Sequence, residues 1–597
     1  MTSDQPVSLV QNPHASSIDS SRIIRADYAN AAYTRLATRA QGKWRSGWPY
    51  DESRPDDERE ADDDDEDHGE NNGGKEGKLG GKDRSGKEMK RKRRRRRRKV
   101  YRESGILVTA SRGTVGEGYV RAAQRNSEAV GQKCRSLRGK GDVRRSAGVG
   151  DFSKGRDGQG NGEGDLENDG KEGDGDGDAV GDVVGDAIGE ASYGYGYSHR
   201  GLDKRRRKNE EMVESADLGE LGELGYENMS SGWADAAGAM EGLMDRVVSL
   251  SKARNRRRDS GSGEGMVVFQ RGKARRLRFS AATTTSTEPS TPSTMPKVTG
   301  AELDSDTDGS VIINAAITVL AAGAWSPALI DLRGRVEARG QVLAYVPITL
   351  DERKRLRGMK VVLNLGSGMF GIPPCFNART GEWEVKIARH AFGYANLVRV
   401  SLPDFSPSTT TGESEGGAIR VERDVVKEDE AIVSIPHERF EPIPEDGMRD
   451  CRRFLRSMLP EVGNREWSST RLCWYADTPT GDFVVDFHPG CEGLLIATGG
   501  SGHAFKFLPV MGDLVVKRLE GRSGEAEGGG EGDGEEDTVA EERELARLWR
   551  WREEGREGEW WVEDGSRGGI KGVVLTEEWE KGEREKMKRR WEGMSKL

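Results

Sequence analysis

Two long segments of this chain, residues 51–100 and 136–224, contain few large apolar side chains. The first runs from an acidic block, Asp62–Asp67, into ten consecutive basic residues, Lys90–Lys99, and the second is centred on Gly-Asp repeats. Segments of this composition bury too little apolar surface to offset the conformational entropy that is lost on folding. The sequence therefore predicts two disordered, charged insertions, which confine any folded core to the islands between them.

The islands carry most of the apolar patterning. Only 34% of the 597 residues are apolar, 33% are charged and 81 are glycine, so the folded part is expected to be smaller than the chain. The patterned segments are residues 1–50, 101–135, 225–279, 299–520 and a helical Trp/Arg segment near 540–555.

Charge and cysteine usage exclude several classes of protein. The formal net charge of −9 argues against a general nucleic-acid-binding surface, and the acidic block would neutralise Lys90–Lys99 within a Debye length or two. The five cysteines are widely separated and form no Cys-x-x-Cys pair, which supports neither a disulfide framework nor a structural zinc or other metal site. The most apolar run, Ala315–Ile330, is shorter than the roughly 20 residues that cross a bilayer. We expect a soluble intracellular protein without a membrane segment.

The last three residues, Ser595-Lys596-Leu597, form the tripeptide that the peroxisomal import receptor reads. The preceding segment is strongly charged, so we expect the tripeptide to be exposed. Lys90–Lys99 is a competing signal for nuclear localisation. We expect a peroxisomal protein with the import receptor as a partner, and keep the cytoplasm or nucleus as the alternative.

Two apolar segments run directly into glycine. They are "ITVLAAGAW", Ile317–Trp325, and "GLLIATGGSGHAF", Gly493–Phe505. A buried strand that ends in a glycine turn allows a ligand to approach backbone N–H groups. Either segment alone could be a tight turn that binds nothing, but together they favour a cofactor site.

Nine motifs in a fixed order resemble those of a known family. They are "ASSIDSSRIIRADYANAAYTRLA", "YRESGILV", "YENMSSGWADAAGAM", "TVLAAGAWSPALIDLRGR", "GQVLAYVPIT", "VKIARHAFGYAN", "RLCWYADTPTGDFVVDFHP", "LLIATGGSGHAFKFLPVMG" and "LWRWR". The chain resembles the monomeric sarcosine oxidase family of FAD-dependent amine oxidases, most closely the fungal branch of fructosyl amino acid, pipecolate and saccharopine oxidases. The motifs cover about half of the chain, and the low-complexity segments lie between them.

The resemblance implies an α/β fold, in which a Rossmann-like FAD-binding domain is interleaved with an antiparallel-sheet substrate domain. The expected ranges are 1–50, 225–335 and 474–555 for the first, 101–135 and 336–473 for the second, and 556–597 for a charged tail. Proteins of this family are usually monomers, so we expect a monomer.

The same resemblance implies oxidation of a secondary amine or an N-substituted amino acid. A hydride equivalent passes to FAD, and O2 is then reduced to hydrogen peroxide. Lys386 matches the lysine that activates oxygen, although a strand lysine on its own is more often a surface residue. Cys473 matches the cysteine whose sulfur is joined to the 8α-methyl carbon of the flavin. The alternative for Cys473 is a buried, unreactive thiol.

Other matched residues imply a binding site for an amino acid. Arg25 and Lys506 match the pair that holds the substrate carboxylate, a task suited to a guanidinium fork and a point charge. Arg22 matches an arginine lying against the flavin ring, and its spacing from Arg25 would place both on one face of a helix. His390 matches a residue near the substrate amine, where fructosyl amino acid oxidases are expected to carry an acid. This difference favours a smaller cyclic or N-alkyl amino acid.

Further residues are expected around the cofactor and the substrate. Tyr475 is expected to line the pocket together with His503. The expected cofactor contacts, besides Arg22 and Cys473, are Gly323, Trp325, Gly500, Gly502, His503 and Lys506.

One family element is missing from the sequence. The FAD-binding unit should open with a strand, a G-x-G-x-x-G turn and a helix that receives the pyrophosphate, but "PVSLVQNPHASS" resembles the second strand of that unit. The chain is therefore expected to start about 30 residues late, with Gln11 where an acid should hold the ribose. Either the start of the gene is incompletely read, or the chain is a catalytically impaired remnant that acts as a binding protein.

Overall fold

The computed structural model describes Ser17 and residues 19–50, 100–149, 221–259, 267–280, 295–305, 309–377, 380–403, 428–437, 443–521, 533–552 and 564–594. Several sequence-based predictions fall outside these residues. They concern Gln11, the first insertion with Lys90–Lys99, the centre of the second insertion, and Ser595-Lys596-Leu597.

Short strands make up much of the described chain. They are β1 (Arg22–Ile24), β2 (Tyr101–Arg102), β3 (Ile106–Ala110), β4 (Cys134–Arg138), β5 (Leu224–Asn228), β6 (Gly232–Ala234), β7 (Lys273–Ser280), β8 (Lys297–Ser305), β9 (Gly309–Asn314), β10 (Thr318–Leu320), β11 (Glu337–Ile348), β12 (Val361–Asn364), β13 (Met369–Asn377), β14 (Glu382–Arg389), β15 (Tyr394–Ala395), β16 (Leu397–Pro403), β17 (Glu428–Ser434), β18 (Ser469–Asp477), β19 (Val484–Phe487), β20 (Leu494–Thr498) and β21 (Val573–Val574).

Helices connect and cover the strands. They are α1 (Ala31–Arg45), α2 (Val115–Ala129), α3 (Lys140–Ser146), α4 (Ala236–Asp259), α5 (Leu350–Arg355), α6 (Glu445–Met458), α7 (Leu508–Leu519), α8 (Asp533–Leu548) and α9 (Leu575–Met594). Within the described ranges, no helix combines the length and apolar character that crossing a membrane requires.

The largest sheet has ten strands, in the order β21-β15-β11-β14-β13-β12-β3-β5-β4, with β18 also paired to β11. Its pairings are antiparallel except for β3 with β12 and β15 with β21. This sheet confirms the expected antiparallel-sheet component of the fold.

Successive side chains of the strands in this sheet lie in two different apolar clusters, one on each face of the sheet. Val385 and Ile387 of β14 and Trp474 of β18 belong to the core that contains α6. Cys473 and Tyr475, the neighbours of Trp474, belong to a different apolar cluster. Because successive side chains of a strand point to opposite faces, Cys473 and Tyr475 lie together on the second face.

A smaller sheet contains the two segments that run into glycine. Strands β10 and β20 pair in parallel, with Thr318 opposite Leu494 and Leu320 opposite Ile496. Strand β19 adds to β20 antiparallel. Because parallel strands share one direction, their carboxyl ends and the glycine turns that follow lie at the same edge of the sheet.

The segment "SRIIR" is extended. Arg22 to Ile24 form β1, which pairs antiparallel with β6, so the helical spacing considered for Arg22 and Arg25 does not apply. Helix α1 begins only at Ala31, where the Asn30 side chain accepts hydrogen bonds from the N–H groups of Ala32 and Tyr33. The N-cap thus fixes where the extended segment ends.

The predicted bounds of the second insertion are wrong at both ends. The end of strand β4 and all of helix α3 lie within 136–224, and the described chain continues to Val149 and resumes at Leu221. Leu137 and Val143 are buried in the main core, and this burial offsets the charged composition around them.

Two further range assignments conflict with the strand pairing. Strand β5, placed with the cofactor domain, pairs with β3 in the ten-stranded sheet. The charged tail, 556–597, contains β21 and α9, and Leu575 is fully buried. The division into two interleaved domains otherwise stays a prediction.

Candidate active site

Asp19 lies at the centre of a buried cluster of charges. Lys386 Nζ donates to Asp19 Oδ2 at 2.6 Å, and Tyr345 Oη donates to Oδ1 at 2.7 Å. Arg22 Nη1 pairs with the same carboxylate, and Arg471 Nη2 lies 3.5 Å from Oδ2. Burial alone would raise the pKa of Asp19, but the three cations hold that pKa well below its ordinary value.

Lys386 is almost fully buried on β14. Its Nζ makes a second hydrogen bond, at 3.0 Å, to the carbonyl of Ser21. Burial lowers the pKa of Lys386 to about 8, against the opposing attraction of Asp19. The expectation of a surface strand lysine is therefore excluded, and Lys386 carries a proton that can be exchanged near neutral pH.

Cys473 lies beside Arg22. The thiol is fully buried on β18, and Arg22 Nη2 lies 3.3 Å from Cys473 Sγ. All five cysteines are free thiols. The Arg22 guanidinium is thus in direct contact with the Cys473 sulfur.

The shared edge of β10 and β20 carries the predicted glycines. Gly323 has φ +56°, and a Cβ added there would meet no atom within 4 Å, so its backbone borders open space. Thr498 Oγ1, at the end of β20, donates to Gly323 O at 3.1 Å and ties the two turns together. Trp325 packs against the main core. Gly500 O accepts the N–H of His503 at 2.9 Å and opens a short 3₁₀ helix, Ala504–Phe507.

The turn after β20 is strained at Ser501. This non-glycine residue has φ +45°, a left-handed conformation that costs about 1–2 kcal/mol. Its N–H donates to Ala476 O at 2.9 Å, and its carbonyl accepts Arg567 Nη2, also at 2.9 Å. Arg567 is itself held by a bidentate pair with Asp477, at 2.5 and 2.7 Å.

Gly502 supports the Tyr475 ring directly. A Cβ at Gly502, which has φ +71°, would lie 2.2 Å from Tyr475 Cε2. We expect Gly502→Ala to lower the free energy of unfolding by about 2–4 kcal/mol, because the methyl group overpacks the ring and the backbone is left-handed. Denaturant unfolding measures this loss.

The matched control for that substitution is Gly512→Ala in α7, where a Cβ meets no atom within 4 Å. Alanine there should raise stability by up to about 1 kcal/mol, as in any helix interior. Equal stability of the two variants would contradict the assigned contact between Gly502 and Tyr475.

Arg25 and Lys506 lie around the ring of Tyr28. The Arg25 guanidinium is 4.9 Å from the ring centroid, and Lys506 Nζ donates to Tyr28 Oη at 2.8 Å. Among the described residues, neither cation has a carboxylate within salt-bridge distance, and the buried Nη1 of Arg25 has no hydrogen-bond partner. Burial and the neighbouring Arg25 lower the pKa of Lys506 well below its usual range.

Two histidines complete the pocket. His503 Nδ1 bonds Tyr28 Oη at 2.9 Å and its Nε2 bonds Gly481 O at 2.8 Å. His390 is partly buried, with its ring centroid 5.8 Å from that of Tyr475. Burial lowers the pKa of His390 well below its ordinary value, and the positive charge of nearby Arg567 lowers it further. Its imidazole is therefore neutral at pH 7.

Sequence reasoning missed three residues of this region. Asp19 lies inside a quoted motif, but its role follows only from partners on distant strands. Arg471 precedes Cys473 by two residues on β18, and residues two apart on a strand point to the same face, so the sequence could have indicated this position. Arg567 lies in a glycine-rich charged stretch with no local pattern to mark it.

Parallel strands that end together in glycine turns, near a cluster of buried basic side chains, are the arrangement in which α/β proteins bind phosphorylated cofactors. This chain belongs to the DAO family of FAD-dependent oxidoreductases, whose sequence model matches residues 193–518, more than half of the chain. The membership agrees with the resemblance drawn from the nine motifs.

Curated relatives include fungal amino acid oxidases. The chain is 29% identical over 343 residues to the amino acid oxidase imqH of Aspergillus flavus, which covers 55% of this chain and 62% of the relative. It is 27% identical over 255 residues to the L-saccharopine oxidase of Schizosaccharomyces pombe, which covers 42% of this chain and 48% of the relative. The chain thus spans about half to three fifths of the length of these relatives.

Solved structures of fructosyl-substrate oxidases share the fold. The fructosamine oxidase Amadoriase II from Aspergillus fumigatus aligns with a TM-score of 0.53 and 17% identity, over 94% of this chain and 86% of that protein. At this identity the similarity shows the fold alone. It confirms the expected mixed α/β architecture of an FAD-dependent oxidoreductase.

Proposed function

We propose that this protein is an FAD-dependent oxidase of a secondary amine or an N-substituted amino acid. The observation that carries the proposal is the pair of buried basic side chains, Arg25 and Lys506, which have no carboxylate within salt-bridge distance among the described residues and include an Arg25 Nη1 without a hydrogen-bond partner. Buried charges in proteins are normally paired, so this pocket is complementary to an anionic ligand. The carboxylate of an amino acid fits it.

The residues at the strand edge fit FAD. Gly323 leaves open space where a ligand can approach the backbone, and Arg22 and Cys473 lie close together near the same pocket. FAD, when bound, would accept a hydride equivalent from the carbon beside the amine nitrogen, which leaves an imine, and would pass the two electrons to O2 with hydrogen peroxide as the product. Cys473 is the proposed covalent attachment point, because its sulfur is a free thiol in contact with Arg22 and matches the flavin-linked cysteine of the family motif.

The remaining residues position the substrate and hold charge. Arg25 presents a guanidinium fork and Lys506 a point charge to the carboxylate. His390, neutral at pH 7, adds no positive charge beside the substrate amine. Lys386 supplies a fixed positive charge in a dry site, where charge that develops as oxygen is reduced is stabilised most strongly.

The substrate class follows from the pocket and the relatives. One relative is named for saccharopine, and solved structures of the same fold are fructosyl peptide oxidases. A neutral histidine at position 390 favours pipecolate, sarcosine or another small cyclic or N-alkyl amino acid over a fructosyl amino acid. Import into peroxisomes stays a prediction from Ser595-Lys596-Leu597.

Peroxide release tests the function. The purified protein should be yellow and should release hydrogen peroxide with at least one of pipecolate, sarcosine, saccharopine and fructosyl amino acids. A folded, colourless protein that is inert toward all four would overturn the proposal and favour a binding protein derived from this fold.

Substitution of Lys506 tests the carboxylate site. We expect Lys506→Met to lower kcat/KM for the amino acid substrate by about 10- to 100-fold, since a charged hydrogen bond contributes about 1.5–3 kcal/mol. The matching amine without a carboxylate should be affected far less. Lys517→Met is the control, because Lys517 lies on α7 and is paired with Glu542 of α8. Equal losses for both substrates would contradict the carboxylate role.

A further inference from the structure

Asp19 gathers more hydrogen-bonding and ionic partners than any role assigned so far requires. Its carboxylate forms ion pairs with Lys386 of β14, Arg22 of β1 and Arg471 of β18, and it accepts a hydrogen bond from Tyr345 of β11. Its side chain is fully shielded from solvent. One carboxylate thus joins four separate strands at a single buried point.

The backbone holds this carboxylate in place. The carbonyl of Asp19 accepts the N–H of Ala237 at 3.1 Å, next to the start of α4. Its Oδ1 also accepts the N–H of Ser20 at 2.8 Å. A group anchored in this way can define the position of a flexible lysine side chain, which has four rotatable bonds of its own.

We propose that Asp19 is a positioning residue that fixes the Nζ of Lys386 and keeps this ammonium protonated at neutral pH. The role in oxygen reduction rests on the proposed function, because Lys386 is there the group that stabilises charge on oxygen. Asp19 acts through Lys386.

The groups around Lys386 support this assignment. Burial and Arg22 oppose its positive charge, and Asp19, which Arg471 also approaches, is the carboxylate in direct contact. Cys473 adds a weaker favourable effect, and Tyr345 already donates to Asp19. Glu384 lies on the same strand and also attracts Lys386, but it makes no salt bridge to it, and both of its carboxylate oxygens accept from Asn377 Nδ2 at 3.2 Å.

Removal of the Asp19 charge should therefore release the proton of Lys386 at lower pH. In the wild type, the pKa of about 8 lies below the ordinary value of a lysine, so the unfolded chain binds the extra proton above pH 8. Stability conferred by this group then rises with pH from about 8 upward. Asp19→Asn should move the onset of that rise downward by at least one pH unit.

Denaturant unfolding between pH 6 and 10 measures the onset without any cofactor or substrate. Each protein is compared with its own Lys386→Met counterpart, which removes the contributions of all other titrating groups. Glu227→Gln is the matched control, because it removes a buried carboxylate that is paired with Arg135 and Lys360 and should leave the onset near pH 8. An unchanged onset in Asp19→Asn would overturn the proposal.

The oxygen reaction gives the second readout. At pH 7, the rate of reaction with O2 should fall at least tenfold in Asp19→Asn. The alkaline limb, which is the fall of this rate at high pH, should move to lower pH. Asp19→Glu should restore both the rate and the position of the limb. An unmoved limb would overturn the role in catalysis. A protein without oxidase activity would refute the proposed function while leaving the unfolding test of the Asp19 and Lys386 pair intact.

A direct titration applies if Asp19→Asn does not fold. The ¹³Cε resonance of Lys386, assigned by its loss in Lys386→Met, reports the charge of the amine in the wild-type protein. A midpoint near pH 8 supports the proposal. An amine already neutral at pH 7 overturns it.

Discussion

Replacement of Cys473 by alanine is expected to release the flavin from the protein. In the wild type, yellow colour should remain in the acid-precipitated protein, because a thioether to the cofactor survives denaturation. In Cys473→Ala the colour should stay in the supernatant, with loss of more than about nine tenths of the precipitated absorbance. The expectation follows from the match of Cys473 to the family motif, and from its position as a free thiol whose sulfur lies 3.3 Å from Arg22 Nη2.

Cys375→Ala is the matched control for this experiment. Cys375 is also buried, in the same apolar cluster, and its Sγ lies 3.2 Å from the carbonyl of Ser20. Burial raises the pKa of the Cys375 thiol to about 12, so this sulfur is a poor nucleophile. Colour that leaves the wild-type protein on acid precipitation would refute the covalent link and leave Cys473 as ordinary packing.

Replacement of Lys386 by methionine should slow the reaction with O2 by about 10²- to 10³-fold, the usual effect of removing one preorganised electrostatic contact. Reduction of the bound FAD by substrate without oxygen should change by less than about tenfold, because the charge on oxygen develops only afterwards. Rapid mixing of each half-reaction measures the two rates separately. Equal losses in both would contradict the assigned role.

The pH dependence of the same reaction has a defined sign. The protonated amine is the active form, so the rate with O2 in the wild type should fall as pH rises through about 8, the pKa of Lys386. Lys360→Met is the control, because Lys360 Nζ bonds the Ser146 carbonyl at 2.9 Å and lies 3.3 Å from Glu227. That variant should keep both the rate and its alkaline limb.

The glycine turns could be predicted because their signal is local. Each apolar run meets glycine within a few residues, and the chain reverses there whatever surrounds it. Gly323 and Gly502 accordingly adopt positive φ values. The parallel pairing that brings β10 and β20 to one edge is a long-range feature, which no local pattern specifies.

Two predictions from local pattern were overridden by tertiary contacts. The spacing of Arg22 and Arg25 allowed a helix, but pairing with β6 makes the segment a strand. The charged composition after residue 136 indicated disorder, but β4 pairs with β5, and Val143 is buried against the core. The free energy of local propensity is small, so burial and strand pairing outweigh it.

The sequence by itself determined which residues can do chemistry. Lys386, Cys473, Arg25 and Lys506 were identifiable because their types and motif order match a family that needs those groups. Only the tertiary structure decided which of them meet, and it added three residues that the sequence did not single out, namely Asp19, Arg471 and Arg567. Asp19 reaches Tyr345 and Lys386 across 326 and 367 residues, and Arg567 reaches Asp477 across 90. The physical reason is that buried charges require partners, and the fold supplies those partners from wherever the chain returns to the same buried point.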